Sequence, residues 1–329
     1  MKQLLKKLKI TSWLFTLKDK YNFRKEFIND YHFFKNNYIG ANKSIKAIEY
    51  DMLLIVHSLE KGMSSENARV FGKNKIIKLI DLLNKYQDKA IDNSYAHNMS
   101  ISALYSYKDF FESHHWQETE EYKIVDKYLQ NKKRNNLKVG SLNLEKKDTI
   151  TKVSANDYDN LLSTRHAVRK FSKTKLKESD IETAINLAMK SPSACNRQMI
   201  HIYNIEDSDK RKYIINNAQG LTNFELENVH FFVITFDVSA NYFVGERNQG
   251  WFNAGLFAMN FVNSLHTLGI GSCFLQFGSS FKKEQEFKKI LEIPSSERIA
   301  VILATGYYAD FSKIPYSTRK PLKEIYSIK

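Results

Sequence analysis

Cysteine is scarce in this chain, because only Cys195 and Cys273 occur among its 329 residues. Two cysteines are too few for a disulfide framework, and they lack the paired spacing of a zinc site. Their scarcity excludes a small disulfide-stapled scaffold and favours a reducing cytoplasm. We expect no metal site, since the neighbouring His114 and His115 have no carboxylate or cysteine at ligand spacing.

Long apolar runs are also missing. The apolar stretch near the N-terminus, residues 10–17, is too short to span a bilayer, and no small-residue cleavage site follows it. The hydrophobic content of 43% is nevertheless enough for a core in a chain of 329 residues. The composition therefore predicts a globular protein of one large domain or two smaller ones.

Positive charge is concentrated at one end of the chain. Residues 1–50 contain 11 basic and 4 acidic residues, a net charge of +7, which is half of the total of +14. Lysines alternate with leucines and Trp13 in residues 1–20, so this segment could lie as an amphipathic helix on anionic lipid. A cluster of charged residues of this kind usually indicates only a helix face exposed to solvent. No nucleic-acid-binding module is visible, so nucleic acid is not an expected partner.

Residues 1–130 have the pattern of a helical domain. From Ser44 onward, apolar residues repeat at steps of three and four, which predicts an amphipathic helix that Gly62 ends as its cap. His57, Glu60 and Lys61 belong to this helix end, and we prefer that interpretation to a catalytic one. Periodicity disappears over residues 131–156, which we interpret as a linker.

Helices and strands alternate after the linker. Ser179, with Glu182 three residues later, predicts a capping box at the start of a helix that ends before Pro192. β-branched and aromatic runs predict strands at residues 199–205, 229–236, 271–277 and 298–307. A long helix from about Trp251 to Gly269 separates the second strand from the third. We expect it to bury four apolar residues, namely Phe252, Leu256, Met259 and Val262.

Two short segments of this half carry residues suited to an anionic, flat ligand. The first contains Arg165, His166 and Arg169 within five residues, and guanidinium groups offer fixed, charge-assisted donors to a phosphate. The second is the turn at residues 191–198, where small residues allow close approach to the backbone and two amide side chains can bond a ligand. Either segment alone has an ordinary structural explanation, a solvated surface or a helix-ending turn.

The order of the motifs resembles the nitroreductase family. Four segments match in sequence order: Arg165–Phe171 (RHAVRKF), Pro192–Gln198 (PSACNRQ), Leu268–Cys273 (LGIGSC), and Gly306 with the tail residue Arg319. The resemblance covers residues 157–329 and implies an α+β fold, with a mixed sheet flanked by helices. It also implies a homodimer with FMN at the subunit interface, reduced by NAD(P)H and reoxidised by an electron-poor acceptor such as a nitroaromatic or a quinone. NADH and NADPH are not distinguished, since no dinucleotide fingerprint is present.

The resemblance also assigns roles to individual residues. Arg165, His166 and Arg319 are expected at the FMN phosphate, and Arg169 at the pyrimidine edge, where it can stabilise developing negative charge. The remaining cofactor-binding residues are expected at the ribityl chain or ring and are Pro192, Ser193, Ala194, Asn196, Cys273 and Phe274. The sequence departs from the family at Ala167, where the usual serine would offer a hydroxyl to the phosphate. No protein nucleophile is needed, because the cofactor carries the redox chemistry.

Two other functions remain open at this point. The flavin could act on a specific biosynthetic intermediate, with the helical domain shaping access to the pocket. Alternatively, the chain could be a flavin-binding or flavin-less scaffold that docks to a membrane or a partner through its basic N-terminus, and Ala167 favours this second possibility. A redox-active thiol at Cys195 or Cys273 is a weaker hypothesis, since a free cysteine is usually a small buried apolar residue.

Overall fold

The computed structural model describes residues 2–38, 44–87, 94–143, 145–222, 224–275 and 277–329. The side chains of residues 2–16 and 38 lie outside the described part. The predicted lipid-binding helix of residues 1–20 falls largely on these undescribed side chains, although its backbone belongs to a long first helix. Gln276, beside the expected ring-lining residues, also lies outside the described residues.

The N-terminal part is helical over its described residues, which confirms that prediction. Ser44, Ser94 and Thr119 each accept a hydrogen bond from the first turn of the helix that follows, which satisfies amides that have no intrahelical partner. The helices are α1 (Lys2–Tyr38), α2 (Ile45–Met63), α3 (Lys73–Gln87), α4 (Tyr95–Ser113) and α5 (Glu120–Leu129).

Helices α2 to α5 share one apolar core. The predicted stripe of α2 is buried, with Met52 and Leu59 fully inaccessible against residues of α3 and α4. The predicted cap at Gly62 is wrong, because α2 continues to Met63 and ends at Ser64. A Cβ atom at Gly62 would lie 2.1 Å from the ring of Phe71, so this glycine is needed for close packing rather than for ending the helix.

The segment interpreted as a linker packs partly on the helical core. The hydroxyl group of Tyr105 on α4 donates to the carbonyl oxygen of Lys132, and that of Ser106 donates to the carbonyl oxygen of Val139, both at 2.7 Å. Helix α6 (Ala155–Thr164) begins after this segment, with Ser154 as a capping residue.

The second half contains a four-stranded sheet between two layers of helices. Its strands are β1 (Ile200–Ile205), β2 (His230–Asp237), β3 (Ile270–Leu275) and β4 (Glu297–Tyr307), in the order β1-β2-β4-β3. The expected α+β class is confirmed, but the sheet is antiparallel throughout rather than mixed. A parallel contact occurs as an isolated bridge between Ala167 and Ser272. The flanking helices are α7 (Glu178–Ala188), α8 (Ser208–Asn217), α9 (Gln249–Thr267) and α10 (Phe281–Leu291).

Helix α7 is capped differently from the prediction. It begins at Glu178, so Ser179 lies inside the first turn and is not the capping residue. The hydroxyl of Tyr307 on β4 accepts a hydrogen bond from the backbone of Lys177 and donates one to Asp180. Tyr307, which is distant in sequence, therefore stabilises the start of the helix, where the sequence predicted a local capping box.

Helix α9 buries a different face from the one predicted. Phe252 and Met259 are 63% and 38% exposed, and only Val262 of the four expected residues is fully buried. The face that packs on the sheet includes Ala254, Phe257 and Phe261. The helix is apolar on two sides, so periodicity alone did not determine which side faces the core.

Helix α1 joins the two halves. The carboxylate of Glu26 accepts a hydrogen bond from the backbone of Phe281 at 2.8 Å, and Asp30 forms an ion pair of 2.8 Å with Arg298. Phe33 is buried beneath Lys288 and Arg298. Among the described helices, none has an apolar stretch long enough to cross a membrane.

Candidate functional site

The basic segment Arg165–Phe171 is held at one edge of the sheet. Arg165 follows the last residue of α6 in an extended conformation. The backbone amide of Val168 donates to the carbonyl oxygen of Ser272 at 3.1 Å, and that of Ser172 donates to the carbonyl oxygen of Tyr307 at 2.9 Å. These bonds extend the sheet beyond β3 and fix the position of the arginines that flank them.

Two glycines allow this close approach. Gly271 and Gly306 face each other across strands β3 and β4. A Cβ atom at Gly271 would lie 2.5 Å from the side chain of Val168, and one at Gly306 would lie 2.6 Å from the Cβ atom of Phe171. Neither position has space for a side chain, so the glycines that the sequence marked are required by packing of the basic segment.

The two arginines of the basic segment lack compensating charge, whereas its Lys170 forms an ion pair of 3.0 Å with Glu225. Among the described residues, Arg165 and Arg169 form no ion pair with a carboxylate. The Nε atom of Arg165 is buried and has no hydrogen-bond partner, and a buried donor of this kind is costly unless a ligand satisfies it. Arg169 lies 5.9 Å from the ring centre of Phe224. This arrangement fits an anionic group such as the phosphate of FMN.

The positive charge of the basic segment also acts on the pKa values of Cys273 and His266. Burial raises the pKa of the Cys273 thiol, and the charges of Arg169 and Arg165 oppose that rise. Burial also lowers the pKa of His266, and the charge of Arg165 lowers it further, so this imidazole is neutral near pH 7. Its two ring nitrogens contact the hydroxyl groups of Thr164 and Tyr308, at 2.9 and 2.8 Å.

The turn at residues 191–198 has a strained backbone. Cys195, Asn196 and Gln198 have φ values of 50°, 51° and 52°, in the left-handed region that side chains other than glycine and asparagine rarely adopt. The hydroxyl oxygen of Ser193 accepts a hydrogen bond of 2.9 Å from the amide of Gln198, which closes the turn. Such strain persists only where surrounding contacts hold it.

The side chain of Arg197 provides many of the contacts that stabilise this turn, a role that the sequence analysis did not predict. Its side chain is 1% exposed, and two guanidinium nitrogens donate to the carboxylate of Glu246 at 2.7 and 2.9 Å. The guanidinium also donates to the carbonyl oxygens of Ala194 and Ala240. Burial raises the pKa of Glu246, but the bond and charge of Arg197, together with the backbone amides of Tyr242 and Phe243, outweigh burial and leave that pKa below its usual value. The partner is 49 residues away, so no local signal could have identified it.

The N-terminal helices complete the support of this turn. Helix α2 packs against Ala194–Asn196 and against Val238–Ala240. The side-chain amide of Gln198 donates to the hydroxyl of Tyr95, the first residue of α4, at 3.3 Å. The helical part of the chain is thus in direct contact with a predicted flavin-binding segment, which the sequence did not indicate.

The structure brings together some of the predicted residues. Arg165, Arg169 and Cys273 lie close to one another at the β3 edge, with the exposed His166 beside them. Thr164 contacts His266 on α9, whereas Ser191 contacts Asn260, six residues earlier and about 9 Å along the helix axis. The turn that holds Pro192, Ser193, Ala194 and Asn196 is therefore displaced from the basic segment within one protomer.

Two further predicted residues lie apart from these groups. Phe274 on β3 is 42% exposed. Arg319 lies in the exposed C-terminal tail, where its guanidinium donates to the carbonyl oxygen of Ser317. The described residues contain no group of three or more histidine, cysteine or acidic side chains placed to bind a metal ion.

Comparison with known proteins identifies the second half of the chain. Solved structures similar to it include a nitroreductase family protein from Streptococcus pneumoniae, with 23% identity, 52% of this chain and 100% of that chain covered, and a TM-score of 0.44. An FMN-dependent nitroreductase from Clostridium difficile has 19% identity, covers 51% and 98%, and gives a TM-score of 0.44. No curated protein matches the chain. Residues 162–307 match the family model described as the nitroreductase family, and this part of the chain therefore forms a domain of that family.

Proposed function

We propose that this protein is an FMN-dependent oxidoreductase, with its flavin site built by the domain that follows the linker, residues 157–329. Membership of the nitroreductase family supports an oxidoreductase, and the similar protein from Clostridium difficile is named as FMN-dependent. The observation that carries the proposal is the uncompensated pair Arg165 and Arg169, with the buried, unpartnered Nε atom of Arg165. Bound FMN would satisfy that donor with a phosphate oxygen.

The phosphate donors are limited in number. Ala167 offers no hydroxyl group, and the backbone amide of its neighbour Val168 already donates to Ser272. Arg165 and the exposed His166 therefore provide the phosphate contacts on this segment. Arg319, which lies apart from this segment in the exposed tail, is the third proposed phosphate ligand. Guanidinium groups suit this task because their donors are fixed in a plane and charge-assisted.

The other residues orient and polarise the bound group. Arg169 places a fixed cation where negative charge develops, which lowers the barrier to electron transfer electrostatically. Ser193 and Asn196 hold the ribityl chain or ring from the strained turn, whose geometry depends on Arg197. FMN supplies the hydride and electron chemistry when bound, with NAD(P)H as the reductant and an electron-poor nitroaromatic, quinone or biosynthetic intermediate as the acceptor.

A homodimer is part of the proposal. The basic segment and the turn lie at different positions along α9 in one protomer, so a second copy can bring the turn of one chain to the arginines of the other. Helix α9 exposes apolar side chains at Phe252 and Met259, which a second copy would cover. Two free cysteines, one of them exposed, suit a reducing compartment such as the cytoplasm.

Contact with a membrane surface is a second proposal for the N-terminus. The described part of α1 exposes aromatic residues together with basic ones, a combination typical of helices that lie on anionic lipid. These residues are Lys18, Lys20, Tyr21, Phe23, Arg24, Lys25, Phe27 and Tyr31. Flotation of the full chain, and of a chain lacking residues 1–20, with vesicles containing phosphatidylserine tests this proposal. Failure of the full chain to float would reject it.

Flavin content is the decisive test of the main proposal. The purified protein should be yellow, and its visible absorbance should bleach when NADH or NADPH is added without oxygen. Arg165→Ala should lower FMN affinity by at least about tenfold, because it removes a charge-assisted bond of about 1.5–3 kcal/mol. Arg69→Ala, which removes an exposed arginine of the helical half, is the matched control and should keep full flavin stoichiometry. A colourless protein that ignores added FMN would reject the proposal, and full flavin in Arg165→Ala would reject the phosphate assignment.

A further inference from the structure

A histidine in the last turn of α9 has both of its ring nitrogens bonded beside the basic segment. The Nε2 atom of His266 lies 2.9 Å from the hydroxyl oxygen of Thr164, the last residue of α6. Its Nδ1 atom lies 2.8 Å from the hydroxyl oxygen of Tyr308, the residue after β4. His266 therefore connects the ends of three elements at one point.

The direction of these bonds follows from a second bond of Thr164. Its hydroxyl group donates to the carbonyl oxygen of Asn160, one turn earlier in α6, at 2.6 Å. A hydroxyl group has one proton, so toward His266 it can only accept, and Nε2 must carry a proton. Burial lowers the pKa of His266 and the charge of Arg165 lowers it further, which keeps the imidazole neutral near pH 7. Nδ1 is then the acceptor for the hydroxyl of Tyr308.

These side chains form one directed chain of hydrogen bonds. Tyr308 donates to His266, His266 donates to Thr164, and Thr164 donates to the backbone of α6. Each bond in such a chain polarises and strengthens the next. The backbone amide of Tyr308 also donates to the carbonyl oxygen of Gly269 at 3.2 Å. The chain therefore fixes the last turn of α6 to the end of α9 and to the sheet.

Arg165 follows Thr164 directly and lies close to this chain. Its charge lowers the pKa of His266, and it opposes the rise that burial causes in the pKa of Tyr308. The backbone amide of Arg165 donates to the carbonyl oxygen of Leu161 in the same turn of α6, at 3.3 Å. Its Nε atom is buried and unpartnered. The position of this guanidinium therefore depends on the turn that the chain of hydrogen bonds holds.

We propose that His266 is a positioning residue for the phosphate-binding Arg165, and that it acts by holding the last turn of α6 through Thr164. This inference rests on the proposed flavin function. An arginine that is fixed before FMN binds loses less side-chain freedom when the phosphate arrives, and this increases affinity. Because the effect passes through Arg165, it concerns the phosphate group and not the flavin ring.

Two flavins separate this role from general damage to the fold. His266→Phe keeps a ring but loses both hydrogen bonds, and it should weaken FMN binding to the full chain about three- to tenfold. Binding of riboflavin, which lacks the phosphate, should change by less than about twofold on the same reasoning. His266→Gln can still donate to Thr164 and should recover much of the FMN affinity. His32→Phe, at an exposed histidine of α1, is the matched control. Quenching of flavin fluorescence measures each affinity.

A double variant and a spectroscopic measurement test the mechanism itself. Arg165→Ala removes the group through which His266 acts, so adding His266→Phe should weaken FMN binding by less than about twofold more, whereas independent effects would multiply. Nuclear magnetic resonance of wild-type protein labelled with ¹⁵N-histidine depends on no variant. At pH 7.5 the His266 ring should have a protonated Nε2 and an unprotonated Nδ1.

Failure of this role and failure of flavin binding have different signatures. An unchanged FMN affinity in His266→Phe, or equal losses of FMN and riboflavin binding, would overturn the inference. The full effect of His266→Phe in the Arg165→Ala background, or the opposite tautomer of His266, would also overturn it. Each of these results leaves the flavin function intact, whereas wild-type protein that binds no FMN would overturn the proposed function.

Discussion

Arg197 offers a direct test of how the predicted flavin-binding turn is held. Its buried guanidinium donates to both carboxylate oxygens of Glu246 and to two backbone carbonyls. Arg197→Met removes all of these bonds while keeping an apolar chain of similar length. The change leaves a largely buried carboxylate and two carbonyl oxygens without their donor.

The expected cost follows from these contacts. Removing one partner of a buried ion pair costs about 3–5 kcal/mol. Glu246 keeps the backbone amide of Tyr242 as a donor at 2.7 Å and is 12% exposed, so part of its charge stays compensated. We therefore expect a loss near the lower end, about 3 kcal/mol. The stability of Arg197→Lys should lie between that of Arg197→Met and that of wild type, because lysine cannot donate two parallel hydrogen bonds to the carboxylate.

Urea unfolding followed by circular dichroism and tryptophan fluorescence measures this cost. The double variant Arg197→Met/Glu246→Gln should be more stable than the sum of its single variants predicts, by about 1–3 kcal/mol, since contacting residues couple. A loss under about 1 kcal/mol for Arg197→Met, or strictly additive effects, would refute the reasoning. If the turn binds flavin as proposed, Arg197→Met should also weaken FMN binding in a fluorescence titration.

The remaining predictions concern the glycine pair and the hydrogen-bonded dyad of His201 and Glu297. Gly306→Ala should destabilise the protein by about 1–3 kcal/mol in urea unfolding, because its Cβ atom would clash with the backbone-proximal Cβ of Phe171. Gly255→Ala, where a Cβ atom meets nothing within 4 Å, is the control and should be neutral or stabilising. The His201–Glu297 bond should stabilise the fold most between pH 4.5 and 6.5, the usual pKa values of the two groups. The stability difference between wild type and His201→Gln should shrink as pH rises through the raised pKa of His201, and a difference that grows with pH would contradict the dyad.

Local patterns determined much of the fold. The apolar stripe of α2 and the strand at β2 depend on residues close together in sequence, and the structure has them as expected. The same holds for the recognition of the nitroreductase family, since all the matched motif residues except Arg319 follow in order within residues 162–307. Short-range sterics and hydrogen bonding are sufficient for such features.

Long-range packing decided the rest. The start of α7 is bonded by Tyr307 rather than capped by Ser179 as predicted. Gly62 is required because the ring of Phe71 packs against it, and not because it ends α2. The ion pair between Arg197 and Glu246 joins two segments that are far apart in sequence and meet only in the folded chain. None of these contacts has a sequence spacing that could be read in advance.

The candidate site divides in the same way. The sequence by itself determined which residue types could hold an anionic flavin, and it placed Arg165 and Arg169 four residues apart on one segment. Only the tertiary structure showed that these arginines lack acidic partners among the described residues, and that the N-terminal helices support the turn at Ala194–Asn196. It also brought His201 and Glu297, 96 residues apart, into contact. The physical reason is that burial and pairing of charge depend on the neighbours that folding supplies, whereas donor type depends on the residue alone.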